Sequence, residues 1–249
     1  MSLAFFIPFL PFLLALTPPG HNMAWRGVRF CLGDRVSLCL MAPGVIAHEL
    51  SHLLVSAAFG HKVGQVCWFT PHPHDQQSVG FVDVRFNPQS TWQAAGLCVS
   101  AFAPALLLPL LIGRFCGEVT IPENLVDLKA MWINWLSMPL YMQSLFFLLS
   151  VISLNACPSL GDIRGAGAGV RAVVATPLGD KARIIFICVL LVLLSIFLGF
   201  PLSDLLRRLS HKVADLWLAG MRLVIATHIT ILVLSATTWF FLRMVPRGR

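Results

Sequence analysis

Apolar residues fall along this chain in long runs separated by short polar breaks: 3–18, 36–59, 91–112, 131–154, 182–202 and about 220–242. Most of these runs hold 18 or more residues with few charges, the form of a helix that crosses a bilayer. The first is shorter and is interrupted by Pro8 and Pro11. It has no basic flank and no clear cleavage site, so it is expected to remain as a first span rather than to leave as a signal peptide. Between 61 and 88 the period shortens. Val63–Phe69 and Val79–Phe86 read as strands around the turn-rich Thr70-Pro-His-Pro-His-Asp-Gln-Gln, which predicts a β-hairpin. Ser203–Leu218, with Arg207, Arg208, His211 and Lys212, reads as an amphipathic segment lying at a membrane interface. The glycines of 161–169 lack the Lys and Ser/Thr of a phosphate loop and predict a flexible loop.

Composition turns this pattern into a class. With 57% hydrophobic and only 12% charged residues, the chain cannot solvate the surface of a water-soluble globule. The expected fold is an α-helical polytopic membrane protein with about six transmembrane helices and a short membrane-associated β-hairpin. Residues 1–249 form a single integral membrane domain, with no stretch long enough for a separate soluble module. A net charge of +7 could suggest nucleic acid, but the basic residues lie in short breaks and at the C-terminus, where anionic lipid head groups account for them. No nucleic-acid partner is expected; the lipid bilayer is. Lys and Arg divide evenly between the two sides and do not orient the chain. The acidic 114–130 loop and the basic C-terminus favour a cytoplasmic C-terminus, with the hairpin on the same side. The seven cysteines show no CxxC pair and no disulfide framework.

The chemistry is concentrated in the second run. His48 and His52 stand four residues apart, so on a helix both imidazoles leave one face and can grip one metal ion, with Glu49 beside them. The chain has only three Glu and eight His, and ionisable groups inside an apolar span are costly without a purpose. Buried structural histidines are the plain alternative. A catalytic zinc takes three protein ligands and leaves a position open. Asp162 is the candidate third ligand, because it follows the end of the 131–154 run in Asn155-Ala-Cys-Pro158-Ser-Leu-Gly161-Asp162, where Pro158 and Gly161 can turn it inward. One Zn²⁺ per chain is the expected cofactor. His72, His74 and Asp75 read as a solvated turn rather than a second cluster, and His228, alone in the last span, as a packing residue. The small residues of 94–103 before Pro104 predict a span that packs closely, near the metal helix.

His48-Glu-Leu-Ser-His52 in an apolar helix, a following hairpin, a small-residue span and an Asn-x-x-Pro motif leading to an aspartate together resemble the site-2 type intramembrane zinc metalloproteases. The resemblance covers about 36–165 as a metalloprotease-like core, with the hairpin at about 61–88 and accessory spans at about 182–249. It implies that His48, His52 and Asp162 are zinc ligands, that Glu49 is the general base, and that Asn155 helps to hold the substrate backbone. It also implies regulated proteolysis of transmembrane substrates. The expected setting is a bacterial inner membrane with the active site toward the cytoplasm. Where the family reads Leu-Asp-Gly, this chain has Gly161-Asp162-Ile163, and it lacks room for a PDZ module, so it resembles a minimal, divergent member. Two other functions fit the same residues: a non-catalytic protein that binds transmembrane partners, and an ion transporter using His48, Glu49 and Asp162 as its path.

Overall fold

A computed structural model describes residues 26, 28–30, 32–70, 79–116, 128–197 and 202–244. The expected first span at 3–18, the His72–Asp75 turn and the acidic residues of the 114–129 loop lie outside them. The chain is mostly helical, with one small two-stranded sheet.

Helix α1, Asp34–Ala58, carries the metal motif. It ends where the sequence places a glycine: Gly60 has φ +72°, its N–H donates to Ala57 O, and the His61 N–H donates to Ser56 O. Those two bonds make a glycine-terminated helix end of the Schellman type. Ser37, Gly44, Glu49, Ser51 and Ser56 are buried on α1 together with Leu38, Met41 and Val45, while Val36, Ile46, Leu50 and Leu54 are exposed. Most of its small and polar groups thus face protein and several large apolar ones face outward, as suits a helix in lipid.

Strands β1 (Lys62–Cys67) and β2 (Phe81–Arg85) pair antiparallel, Lys62 opposite Arg85 and Cys67 opposite Phe81, with an irregularity between Val63 and Val66. This is the hairpin expected over 63–69 and 79–86, extended by a bond from Thr70 N–H to Val79 O. Helices α2 (Thr91–Ala101) and α3 (Ala103–Cys116) follow, bent by 59° at Phe102. Next come α4 (Leu128–Ser137), α5 (Leu140–Leu154), α6 (Leu160–Ala175), α7 (Leu178–Phe197) and α8 (Leu202–Met244).

Six spans are not what the structure supports. Among the described residues, two helices are long and apolar enough to cross a membrane, Asp34–Ala58 and the Arg208–Thr238 part of α8, or three if the bent α2–α3 pair is one span. The 131–154 run is divided before Pro139, which leaves α5 with 15 residues. The interfacial segment expected at 203–218 is instead continuous with the last span in one 43-residue helix. The glycine-rich 161–169 stretch is likewise helical rather than a loop, and at its end Gly169 lies so close to α2 that only a missing side chain fits. A Cβ on Gly169 would sit 2.7 Å from Cys98 N. Glycine lowers intrinsic helix propensity, and tertiary contact overrides it here.

The core lies where α3, α5 and α8 meet, around Ile112, Phe146, Leu223 and Val224. Its tightest contact is reciprocal. A Cβ on Gly113 would overlap the Leu216 carbonyl, and one on Gly220 the Pro109 carbonyl, so α3 and α8 touch backbone to backbone. This is the small-residue packing that holds helices together where no hydrophobic force acts between them.

Candidate metal centre

Three side chains from two helices converge on one point. α1 presents His48 and His52 from successive turns, and the first turn of α6 presents Asp162. His48 Nε2 lies 3.1 Å from His52 Nε2 and 3.4 Å from Asp162 Oδ2, and His52 Nε2 lies 3.1 Å from Asp162 Oδ1. Zinc held at about 2.0–2.1 Å in a tetrahedron separates its ligand atoms by roughly 3.3–3.4 Å. Each separation is close to that value, with Asp162 Oδ2 facing His48 and Oδ1 facing His52, and one donor atom from each residue lies within 4.8 Å of the others. His48, His52 and Asp162 form a group that could hold a metal ion.

The hydrogen bonds of the rings show that the donors also suit a cation. His48 Nδ1 lies 2.6 Å from Asn155 O, and His52 Nδ1 lies 2.7 Å from Ser100 O. A carbonyl can only accept, so each Nδ1 carries the proton and each neutral ring turns an Nε2 lone pair toward the centre. Two lone pairs and a carboxylate facing one another at these distances repel unless something positive lies among them. Zn²⁺ fits that demand, with two imidazoles and a carboxylate as ligands.

Both orienting carbonyls lie where a helix ends, and that of Ser100 also accepts a backbone N–H at the C-cap of α2. In a continued helix, Ser100 O would accept from the N–H of residue 104; that residue is Pro104, which has none. Asn155 is the C-cap of α5, and Pro158 follows three residues later, so no further turn takes up its carbonyl. The contact at Ser100 is reinforced by its hydroxyl, 2.8 Å from Ser56 Oγ, which ties α2 to α1 beside the ligand.

Asp162 is aimed by the start of its own helix. Ser159 caps α6: its hydroxyl accepts from Asp162 N–H at 3.2 Å, while Asp162 Oδ2 accepts from Ser159 N–H at 2.6 Å. This capping box fixes the carboxylate at a helix N-terminus, where negative charge is favoured.

Glu49 is buried next to His48 on α1, within electrostatic reach of both histidines and Asp162. The hairpin covers it. A Cβ on Gly80, just before β2, would sit 2.9 Å from Glu49 Cγ, 2.9 Å from Val45 Cγ1 and 3.1 Å from Trp68 O. Asn155 is buried as well. Its side-chain amide donates to Val151 O at 3.1 Å and lies 3.9 Å from Met41 Sδ. A Cβ on Gly44 would collide with that amide, so Gly44 is what lets α5 rest on α1 one turn before His48.

The structure thus brings together His48, His52, Asp162 and Glu49, with Asn155 meeting His48 through its backbone. It also adds Ser100, Ser159 and Gly80, which the motif reading passed over. The Ser-x-x-Asp spacing of a capping box was a visible signal for Ser159. A backbone carbonyl leaves no such signature. His72 and His74 lie outside the described residues.

The chain matches no protein-family model, no curated protein and no solved structure.

Proposed function

We propose that this chain is an integral multi-pass membrane protein that works as an intramembrane zinc metalloprotease, hydrolysing peptide bonds within or next to transmembrane segments of other proteins. The observation that carries the reading is the convergence of His48, His52 and Asp162 into one group that could hold a metal ion, with Glu49 buried beside them.

His48 Nε2, His52 Nε2 and one Asp162 oxygen would hold the zinc, which leaves a tetrahedral position for water. When bound there, zinc would make that water acidic and polarise a peptide carbonyl. Glu49 is the base that accepts the water's proton and passes it to the leaving nitrogen. The Nδ1–H bonds to Asn155 and Ser100 keep both imidazoles in the ligand tautomer through the cycle. Burial under the hairpin strengthens these interactions by excluding water. A substrate helix hides its carbonyls in its own hydrogen bonds and has to be unwound before attack. The bacterial inner membrane, with the site toward the cytoplasm, is the setting this reading implies.

The test uses the full chain in detergent, with single-span proteins carrying helix-breaking residues in the span as trial substrates. The parent should hold about one zinc per chain and cleave within the span. Glu49→Gln should keep the zinc and lose roughly 10²–10⁴-fold in rate, the usual worth of a positioned base. Zinc-loaded parent with undiminished cleavage in Glu49→Gln would remove Glu49 from the mechanism. A parent without zinc would overturn the metalloprotease reading.

A further inference from the structure

We propose that His228 is a positioning residue of the metal centre, acting from α8 through Cys157 on the loop that aims two of the three ligands. This inference rests on the metal reading above and adds a role for a histidine that touches none of the ligands.

His228 is fully buried in α8. Its Nδ1–H donates to Val224 O at 2.7 Å, which fixes the tautomer and leaves Nε2 as an acceptor. Nε2 lies 3.5 Å from Cys157 Sγ, within reach of a thiol donor. Burial pushes the Cys157 thiol up to about 12, so it keeps the proton it donates. An imidazole taken fully out of solvent has to satisfy both nitrogens, and this one does so by joining α8 to a loop far away in sequence.

What that loop carries gives the contact its meaning. Residues 155–159 connect α5 to α6 without regular structure. At one end the Asn155 carbonyl holds His48 Nδ1, and at the other Ser159 holds the Asp162 carboxylate. Cys157 lies midway between them and is completely buried. Shifting the middle of so short a loop moves the orienting carbonyl of one ligand and the helix start that aims another. The strut itself is firm, because α8 is locked to α3 by the Gly113 and Gly220 contacts. His228 therefore does for the loop what the Asn155 and Ser100 carbonyls do for the imidazoles: it removes freedom that metal binding would otherwise have to remove.

The test is a zinc-affinity measurement by chelator competition on the full chain in detergent, alongside the thermal midpoint of the zinc-free protein. Cys157→Ala removes one heavy atom and the donor, and His228→Leu removes the acceptor. Each should weaken zinc binding by about tenfold or more, the usual loss when a partner behind a ligand is removed. Cys157→Ser restores a donor and should stay within about threefold of the parent. Ile112→Ala makes a cavity in the same core with no bond to the loop; it should lower the midpoint and leave zinc affinity unchanged. Parent-like affinity in both Cys157→Ala and His228→Leu would overturn the positioning role. So would an equal loss in Ile112→Ala, which would mark the effect as general loosening. A parent that binds no zinc fails the metal reading itself, a result separate from a parent that binds zinc as well as these variants do.

Discussion

Gly44→Ala adds one methyl group to the face of α1 that carries the ligands, one turn before His48. Its Cβ would stand 2.6 Å from Val151 O and 2.9 Å from Asn155 Cγ, and would overlap the Asn155 amide nitrogen. A swinging amide could relieve part of this, but Val151 O is backbone and moves only with α5. Carbon and oxygen rest at about 3.3–3.6 Å, so the helices must separate by roughly 0.7–1 Å. A displacement of that size lengthens the His48 Nδ1–Asn155 O contact, now 2.6 Å, to beyond the ordinary hydrogen-bond limit of about 3.2 Å. His48 then loses the partner that sets its tautomer and angle. Two effects are expected: about 1–3 kcal/mol of lost stability from overpacking, and a 10–100-fold loss of zinc affinity from the lost orienting bond. Thermal midpoints of the zinc-free chain isolate the first effect, and chelator competition isolates the second. Parent-like zinc affinity in a variant whose midpoint has fallen would show that His48 does not depend on the Asn155 carbonyl, and the account of the site as built on helix-end carbonyls would fail.

Three further outcomes follow from the same geometry. Gly80→Val places side-chain atoms against Glu49 and Val45, so it should cut cleavage at least tenfold with zinc content unchanged; zinc loss in that variant would show that the hairpin supports the ligands rather than the base. Ser159→Ala removes half of the capping box, which should cost about 1 kcal/mol and weaken zinc binding by less than Asp162→Ala does. Zinc at 100 times its dissociation constant should stabilise the parent by about 2.7 kcal/mol, and a chelator should reverse the shift in thermal midpoint; Asp162→Ala should show neither response.

The parts of this protein written in side-chain identity were legible from the chain. The His-Glu-x-x-His spacing fixes a face of one helix, Gly60 ends that helix, alternating residues mark both strands, and Pro158 marks the turn that brings Asp162 back, whereas Gly161 lies already within α6. The parts written in backbone were not. Apolar runs report composition, so Met131–Leu154 looked like one span although Pro139 divides it, and Ser203–Leu218 looked separable although nothing interrupts α8. The glycines of 161–169 suggested freedom, yet the stretch is helical, and Gly169 serves a neighbour, the backbone of α2, that no local pattern reveals. His228 looked like an ordinary packing histidine for the same reason, since its partner Cys157 is 71 residues away.

The bond between His48 and the Asn155 carbonyl also sets a schedule. Those residues are 107 positions apart. A ribosome adding about 5–20 residues per second needs roughly 5–20 seconds to pass from one to the other. Through that interval the nascent chain holds two imidazoles and a glutamate in an apolar helix whose orienting carbonyl and third ligand have not been made. On the proposed reading, metal capture would therefore be a late step of biogenesis, because the group His48, His52 and Asp162 is incomplete until residue 162 has been added.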